Sequence, residues 1–292
     1  MSGAAETSLA VIGGSGLYDL DGLEIVGEHD IETPWGKPSD PILEGRLSGV
    51  RMLFLPRHGK GHRIPPSDLN YRANIAALKM LGATDVLSIS ACGSFKEELK
   101  PGSFVIVDQF IDRTRGRASS FFGPGLVAHV SMAHPVCPRL SELAFETVKE
   151  IGVEVAYGGT YLAMEGPQFS SLAESKLYRS WGCDVIGMTA MPEAKLAREA
   201  ELPYALVAMV TDYDCWHEEV GPVEVHNVLE VLMTNADHAR NMLKSLAPKI
   251  GPERKACPQG IENVLDFALI TAPDARDPAM VEKLRSIASR VL

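Results

Sequence analysis

The 292-residue sequence lacks several features that would indicate particular classes of protein. Its five cysteines are widely spaced and form no Cys-x-x-Cys pair, so neither a disulfide framework nor a thiolate zinc site is predicted. No apolar run approaches the roughly 18 residues of a membrane span, and residues 1–8 are mostly small or polar. We therefore expect a cytoplasmic protein that does not enter a membrane.

Positive charge is also scarce. The formal net charge is -10, and the sequence pI is about 5.3. Nucleic acids and anionic membranes attract proteins through basic surfaces, so neither is expected as a partner. Any anionic ligand must be held by a local site. No tract is biased enough to predict disorder, and a hydrophobic fraction of 46% permits a large core.

Short apolar runs rich in β-branched residues alternate with helical patterns, which predicts an α/β fold. The expected strands are 9–12, 51–55, 86–90, 104–107, 153–157, 184–187 and 204–210. Expected helices cover 67–81 and 171–181, where Ser171 and Glu174 form a capping box, and Pro192 suits the first turn of another helix.

A long amphipathic helix is expected over 222–246, with core packing as its simplest interpretation. The segment 247–260 is rich in Pro, Gly and charge. Asp277 and Pro278 then begin a second amphipathic stretch. We expect one domain over 1–250, followed by a helical tail over 251–292 that packs on the domain or on a neighbouring subunit.

Polar and glycine-rich segments follow several of the expected strands. Gly13-Gly14-Ser15-Gly16 could close on an anion through backbone N–H groups, although a simple turn is as good an interpretation. A dinucleotide fingerprint would need glycine where the chain has Asp19, and the Lys-Ser/Thr end of a P-loop is absent. Arg57 and His58 follow the second run, where a planar guanidinium suits an oxyanion. A surface basic cluster is the alternative.

The segment 90–94 adds a hydroxyl and backbone amides at a third strand end. Cys92 in this segment raises a rival hypothesis, a thiol hydrolase, although a free cysteine is more often a small buried apolar residue. Met188 and Thr189 lie where a strand gives way to a helix whose N-terminus favours anions. Phe169, in the loop 165–170, could stack on a flat base, but a lone aromatic is more often core.

The segment Thr211-Asp212-Tyr213-Asp214 follows a strongly apolar strand and sets two carboxyl groups two residues apart. Alone, it would be interpreted as a solvated turn. Two neighbouring carboxyl groups at an apolar strand end are expected to raise at least one pKa, which keeps a proton available near neutrality.

In order along the chain, these motifs resemble those of the 5'-methylthioadenosine phosphorylases, within the trimeric purine nucleoside phosphorylases. The resemblance runs from about Leu9 to Leu246 and also includes 70–74 and 108–114. It implies a homotrimer of α/β subunits with a mixed central sheet flanked by helices, and no metal or organic cofactor, with inorganic phosphate as co-substrate. Ser15 and Ser90 depart from a pattern that commonly has Thr, but both keep the hydroxyl.

The resemblance also implies roles for particular residues. Phosphate is expected at Ser15, Arg57, His58, Ser90, Ala91 and Thr189, and the nucleoside at Phe169, Ser170, Met188, Asp212, Asp214, Val225, Val228 and a neighbour's His129. Asp214 is expected to protonate purine N7 and Asp212 to support it, an arrangement that favours a 6-amino over a 6-oxo ring. The alternatives are a phosphorylase of 5'-methylthioinosine or other purine nucleosides, a hydrolytic nucleosidase, and a non-catalytic purine-binding module.

Overall fold

The computed structural model describes residues 6–14, 16–218, 225–251 and 254–292. In this part of the chain the strands are β1 Ser8–Gly13, β2 Glu24–His29, β3 Ile42–Leu47, β4 Val50–Pro56, β5 Asp85–Ser94, β6 Phe104–Val107, β7 Gln109–Asp112, β8 Val155–Tyr157, β9 Thr160–Ala163, β10 Val185–Gly187 and β11 Tyr204–Asp212. The helices are α1 Tyr71–Met80, α2 Pro138–Glu150, α3 Leu172–Ser180, α4 Ala190–Glu199, α5 Val225–Ile250 and α6 Pro278–Ala288.

The strands form one mixed sheet, ordered β2-β3-β4-β1-β5-β10-β9-β7, with β11, β6 and β8 branching from β5. Strand β5 is its centre. It pairs in parallel with β1 on one side and β11 on the other, and beyond its pairing with β1 its last residues pair antiparallel with β10. Because β4 also runs parallel to β1, the carboxyl ends of β1, β4, β5 and β11 lie at one edge of the sheet.

Helices cover both faces of the sheet because alternate strand residues point to opposite sides and both sets are apolar. One core contains Val86 and Leu206 from the strands and packs against α1, α4 and α6. The other contains Leu87 and Val207 and packs against α2 and α5. Burial on both faces explains why these strands are continuous apolar runs in the sequence.

The tail has no core of its own. Leu284 and Ile287 of α6 are buried in the same core as α1, and Leu265 of the preceding 3-10 helix, Ile261–Phe267, joins them. Ion pairs add to this packing: Arg254 bonds the fully buried Asp85 at the start of β5 and also Glu262. Residues 254–292 therefore pack on the domain as part of it.

The seven expected strands are all present, although β5 continues to Ser94 and β11 to Asp212. The capping box of Ser171 and Glu174 is confirmed, and Asp277 caps α6 through the N–H of Ala279. The expected helix over 67–81 begins later, at Tyr71, after a short 3-10 turn, Pro66–Asp68. Among the described residues, no helix combines the length and apolarity needed to span a bilayer.

The prediction that the long helix α5 packs in the core is confirmed for only part of its length. Its expected start at Pro222 lies outside the described residues. Met242, Leu243 and Leu246 in its second half are fully buried. By contrast, Leu229 and Met233 in its first half are 50% and 66% exposed. The apolar face of α5 is therefore partly open in a single chain.

Candidate functional site

The antiparallel pairing of β10 with β5 brings two hydroxyl groups together. Val185 lies opposite Ser94 and Ile186 opposite Gly93, so the chain after β10 continues back along β5. The hydroxyl oxygens of Ser90 and Thr189 consequently lie 3.4 Å apart, and both residues are buried. Thr189 immediately precedes α4, but Met191 has extended backbone, so the regular helix whose N-terminus was expected to favour an anion begins only after Met191.

Arg57 reaches this region from the end of β4, but its guanidinium is mostly occupied. It is 3% exposed and forms a bidentate ion pair with Glu193 of α4, with Nε–Oε2 and Nη2–Oε1 distances of 2.9 and 3.2 Å. It also donates to the Ser88 hydroxyl and to the carbonyl oxygens of Ile89 and Ile12. A buried cation needs such partners. The expected fork for phosphate is therefore committed largely to Glu193.

Glu193 is the partner that the sequence interpretation missed. It accepts from Arg57, from the Ser88 hydroxyl at 2.6 Å and from the Tyr204 hydroxyl at 2.9 Å. These partners lie far from it along the chain, so no local motif identifies it. Its negative charge offsets that of Arg57, which leaves the region about neutral and reduces the attraction of Arg57 for a second anion.

The His58 ring lies beside Arg57 and is neutral at physiological pH. Burial, together with the positive charge of Arg57, lowers the pKa of His58 to about 4. Its Nδ1–H donates to the carbonyl oxygen of Ile64 at 2.8 Å. The remaining ring nitrogen, Nε2, is then an acceptor. In this tautomer the ring of His58 has no N–H left to donate to phosphate, although His58 was expected to bind it.

The two carboxyl groups at the end of β11 belong to one buried turn. Asp212 accepts the N–H of Asp214 at 2.8 Å and the hydroxyl of Thr211 at 2.7 Å. Asp214 has a positive φ of 52° and is 5% exposed, so the turn directs its side chain inward. The solvated acidic turn that the segment alone would suggest is therefore wrong.

Asp214 is the less satisfied of the two. Burial, with a smaller contribution from the charge of Asp212, raises the pKa of Asp214 to about 6, although hydrogen bonding from Ser175 opposes this rise. Burial also raises the pKa of Asp212. Among the described residues, Asp214 Oδ2 has no hydrogen-bond partner of normal geometry. A buried carboxyl with a free oxygen and a pKa near neutrality can deliver a proton to a ligand.

The loop after β9 borders this carboxyl. The Cys215 thiol donates to the carbonyl oxygen of Ser170 at 3.3 Å, which places Ser170 beside Asp214. Phe169 is 45% exposed, so it is not the core residue that a lone aromatic usually is. Met188 packs over Gly166, where a Cβ would lie 2.4 Å from its sulfur.

Four expected residues are not joined to this cluster by a described contact. His129 is exposed, and its backbone N–H donates to the carbonyl oxygen of Ala268. Val228 is half-buried on α5. Ser15 and the side chain of Val225 lie outside the described residues. The exposed His129 suits a residue that acts on another copy of the chain, which stays a prediction.

Cys92 is not suited to be a nucleophile. Burial raises the pKa of its thiol well above the usual value, so the thiol is neutral at physiological pH. The rival hypothesis of a thiol hydrolase is therefore wrong. In the described part of the chain, no three His, Cys, Asp or Glu side chains are grouped so as to hold a metal ion.

Gly93 on β5 supports the acidic turn by having no side chain. A Cβ there would lie 2.8 Å from Oδ1 of Asp212 and 3.1 Å from Cγ2 of Ile186. We expect Gly93→Ala to displace Asp212, to destabilise the fold by about 1 to 3 kcal/mol and to lower any catalytic rate that depends on this turn. Gly27→Ala is the control, since a Cβ there meets nothing within 4 Å. Denaturant melts and initial rates check both, and equal effects would contradict the prediction.

Comparison with known proteins identifies the family of the chain. Residues 8–247 match the phosphorylase superfamily. The chain belongs to the phosphorylase superfamily. Its curated relatives include the S-methyl-5'-thioadenosine phosphorylase of Cereibacter sphaeroides, 62% identical over 98% of this chain and 99% of the relative. That of Rhodospirillum rubrum is 58% identical over 97% of each chain.

Solved structures of other phosphorylases have the same fold. A methylthioadenosine phosphorylase from an antarctic soil metagenomic library has a TM-score of 0.90 at 45% identity, covering 97% of this chain and 99% of that one. The methylthioadenosine phosphorylase of Schistosoma mansoni in complex with adenine has a TM-score of 0.83 at 38% identity, covering 90% and 99%. The expected fold, α/β with a mixed central sheet, is confirmed.

Proposed function

We propose that this phosphorylase cleaves S-methyl-5'-thioadenosine with inorganic phosphate, releasing adenine and 5-methylthioribose 1-phosphate. The observation that carries the proposal is the buried Asp214 carboxyl at the end of β11, whose Oδ2 has no hydrogen-bond partner of normal geometry among the described residues. It lies at the same edge of the sheet as the Ser90 and Thr189 hydroxyl pair. The names of the closely similar relatives support the same reaction.

The reaction needs a nucleophile on one side of the sugar and a proton donor on the other. A phosphate oxygen attacks C1' as the bond from C1' to N9 breaks, and the bonding electrons pass to the purine. Protonated Asp214 gives its proton to N7, so adenine leaves as a neutral molecule. Asp212 holds the backbone of Asp214 in place.

Phosphate binds where hydroxyl and backbone donors converge. Ser90, Ala91 and Thr189 supply these groups, with Ser15 from the glycine-rich loop. Arg57 and His58 lie next to these residues. Because Glu193 neutralises the guanidinium of Arg57, that group contributes N–H donors to phosphate binding rather than a net positive charge. This region suits an anion through directed hydrogen bonds in a buried setting.

The nucleoside lies between the two ends of the site. Phe169 and Ser170 face the purine, and Met188 lies against the ribose. The partly open apolar face of α5, which includes Val228, receives the methylthio group, and Val225 is proposed for the same role. We propose that a neighbouring subunit supplies His129, that the active assembly is a homotrimer, and that it works in the cytoplasm. Light scattering gives the assembly: a monomer that retained full activity would contradict the shared site.

Paired substrates test the reaction. The protein is incubated with S-methyl-5'-thioadenosine, 5'-methylthioinosine, adenosine and inosine, each with and without phosphate, and free base is measured. We expect adenine from S-methyl-5'-thioadenosine only when phosphate is present. Adenosine should react more slowly, because an apolar pocket distinguishes small groups by about 1 to 3 kcal/mol.

The other outcomes identify the alternatives. Base release without phosphate would indicate a nucleosidase. A preference for the two 6-oxopurines would contradict the roles given to Asp212 and Asp214. Tight adenine binding without any product would indicate a binding module.

A further inference from the structure

Arg117, in the segment after β7, is a buried cation with no part in the mechanism described so far. Its side chain is 2% exposed. It makes five hydrogen bonds, to Tyr71 Oη, to the carbonyl oxygens of Met188, Met191 and Glu165, and to Glu165 Oε1, at distances from 2.6 to 3.3 Å. All three guanidinium nitrogens are bonded to these protein groups, so we look for a role of Arg117 in the reaction through them.

The carbonyl partners of Arg117 belong to the two loops that carry the ligands. Met188 and Met191 flank Thr189, one of the two hydroxyl groups proposed for phosphate. Glu165 begins the loop that continues to Phe169 and Ser170, proposed for the purine. The Nη1 group bonds the first loop and Nη2 bonds the second, at 2.6 and 2.7 Å for the nearest oxygens. One rigid, planar guanidinium therefore fixes the spacing of the two loops.

The guanidinium of Arg117 and its partner Glu165 are also bonded to residues at and just before the start of α1. The Tyr71 hydroxyl, which accepts from Arg117, donates to the carbonyl oxygen of Pro66 at 2.9 Å. Glu165 also accepts the Ser67 hydroxyl and the N–H of Arg115. The start of α1 thus anchors the guanidinium, and the ligand loops are fixed relative to a helix of the main core.

We infer that Arg117 is a positioning residue that sets the distance between the phosphate end and the purine end of the site. The inference rests on the proposed function and deepens it, because phosphorolysis needs phosphate and nucleoside to be aligned along one line. Misplacement of reacting groups by about 1 Å can cost about a hundredfold in rate. Loosening this link should affect both substrates together, whereas losing a contact to one substrate would affect that substrate alone.

The test uses Arg117→Gln and Arg117→Lys in the full chain. For the Gln variant we expect the KM values of phosphate and of S-methyl-5'-thioadenosine to rise about tenfold each and kcat to fall about ten- to a hundredfold. Lysine keeps the positive charge but not the planar guanidinium, so the KM and kcat values of Arg117→Lys should lie between those of the wild type and of Arg117→Gln. Melting temperatures and thermal shifts with adenine, phosphate and both together are measured in parallel.

Arg51→Gln is the matched control. Arg51 is another part-buried arginine that bonds Glu44 and the carbonyl oxygen of Leu81, at the opposite edge of the sheet. The Arg51→Gln variant should have a lower melting temperature but unchanged KM values for phosphate and for S-methyl-5'-thioadenosine. For the wild type, adenine and phosphate together should protect against melting more than the sum of each alone, and Arg117→Gln should remove this excess.

Two results would overturn the inference. One is an Arg117→Gln protein that melts earlier but keeps both KM values and kcat, as the control should. The other is a change in the KM of only one substrate. If the wild type released no base at all, the proposed function would be wrong, and the thermal shifts with adenine and phosphate would still decide whether Arg117 links the two loops.

Discussion

Asp214→Asn should lower turnover of S-methyl-5'-thioadenosine by about a hundred- to ten-thousandfold, the range of general acid catalysis. Asparagine keeps the shape of the side chain and can donate a hydrogen bond, but it has no acidic proton to transfer to N7. The fall should appear in kcat more than in the nucleoside KM, because proton transfer takes place in the transition state. Asp21→Asn is the control, since Asp21 lies on the surface with its side chain 96% exposed.

The pH dependence gives a second measurement of the same change. With the pKa of Asp214 raised to about 6, the protonated form is lost as the pH rises through 6, and the wild-type kcat/KM should fall over that range. The residual activity of Asp214→Asn should lack this fall. A variant with the wild-type pH profile would show that another group supplies the proton.

The same substitution should stabilise the fold at high pH. Because burial raises the pKa of Asp214 from 3.8 to about 6, the folded state favours the neutral carboxyl, and this contribution is lost as pH rises from about 4 to about 6. Above that range, ionised Asp214 costs up to about 3 kcal/mol. Asp214→Asn should therefore melt at a higher temperature than the wild type at pH 8, with the difference shrinking towards pH 4. An unchanged difference across this range would contradict the linkage.

Glu193→Ala should destabilise the protein by about 3 to 5 kcal/mol, the cost of leaving a buried charge without its partner. The guanidinium of Arg57 would lose two bonds, and the Tyr204 hydroxyl would lose the carboxylate that it now contacts at 2.9 Å. Urea unfolding measures the loss. A loss below about 1 kcal/mol would mean that water or movement of Arg57 compensates for the missing carboxylate.

The double variant Arg57→Gln with Glu193→Gln provides the matched comparison. It removes both charges and keeps hydrogen-bonding groups, so it should lose less stability than Glu193→Ala or Arg57→Ala. Its phosphate KM should nevertheless rise, because the guanidinium donors are gone. Retained phosphate affinity in a folded double variant would remove Arg57 from the proposed phosphate site.

Much of the fold follows from the sequence because the central strands are buried on both faces. Segments such as 104–107 and 204–210 appear as continuous apolar runs, and the predicted and observed bounds of the former coincide. Strand β2 is different: Ile25 and Val26 are more than half exposed among charged neighbours, so its pattern is weak. The pairing of β10 with β5 is long-range and has no signal in either segment alone.

The candidate site divides in the same way. Hydroxyl and carboxyl groups at strand ends could be predicted, because the direction of parallel strands brings their ends to one edge. Glu193 and Arg117 could not, since their partners are distant in sequence and each resembles an ordinary helix or loop charge. The ion pair between Arg57 and Glu193 could not be predicted either, because the sequence does not show which carboxylate the fold brings within 3 Å of the guanidinium.

The central position of β5 has a consequence for redesigning this enzyme. Ser90 faces Thr189, while Gly93, three residues later, gives room to Asp212, so one strand contacts both ends of the proposed site. A change in β5 made to alter phosphate use would also disturb selection of the base. Variation in base preference is better sought in 211–214 and in the loop 165–170, with β5 kept as a fixed reference.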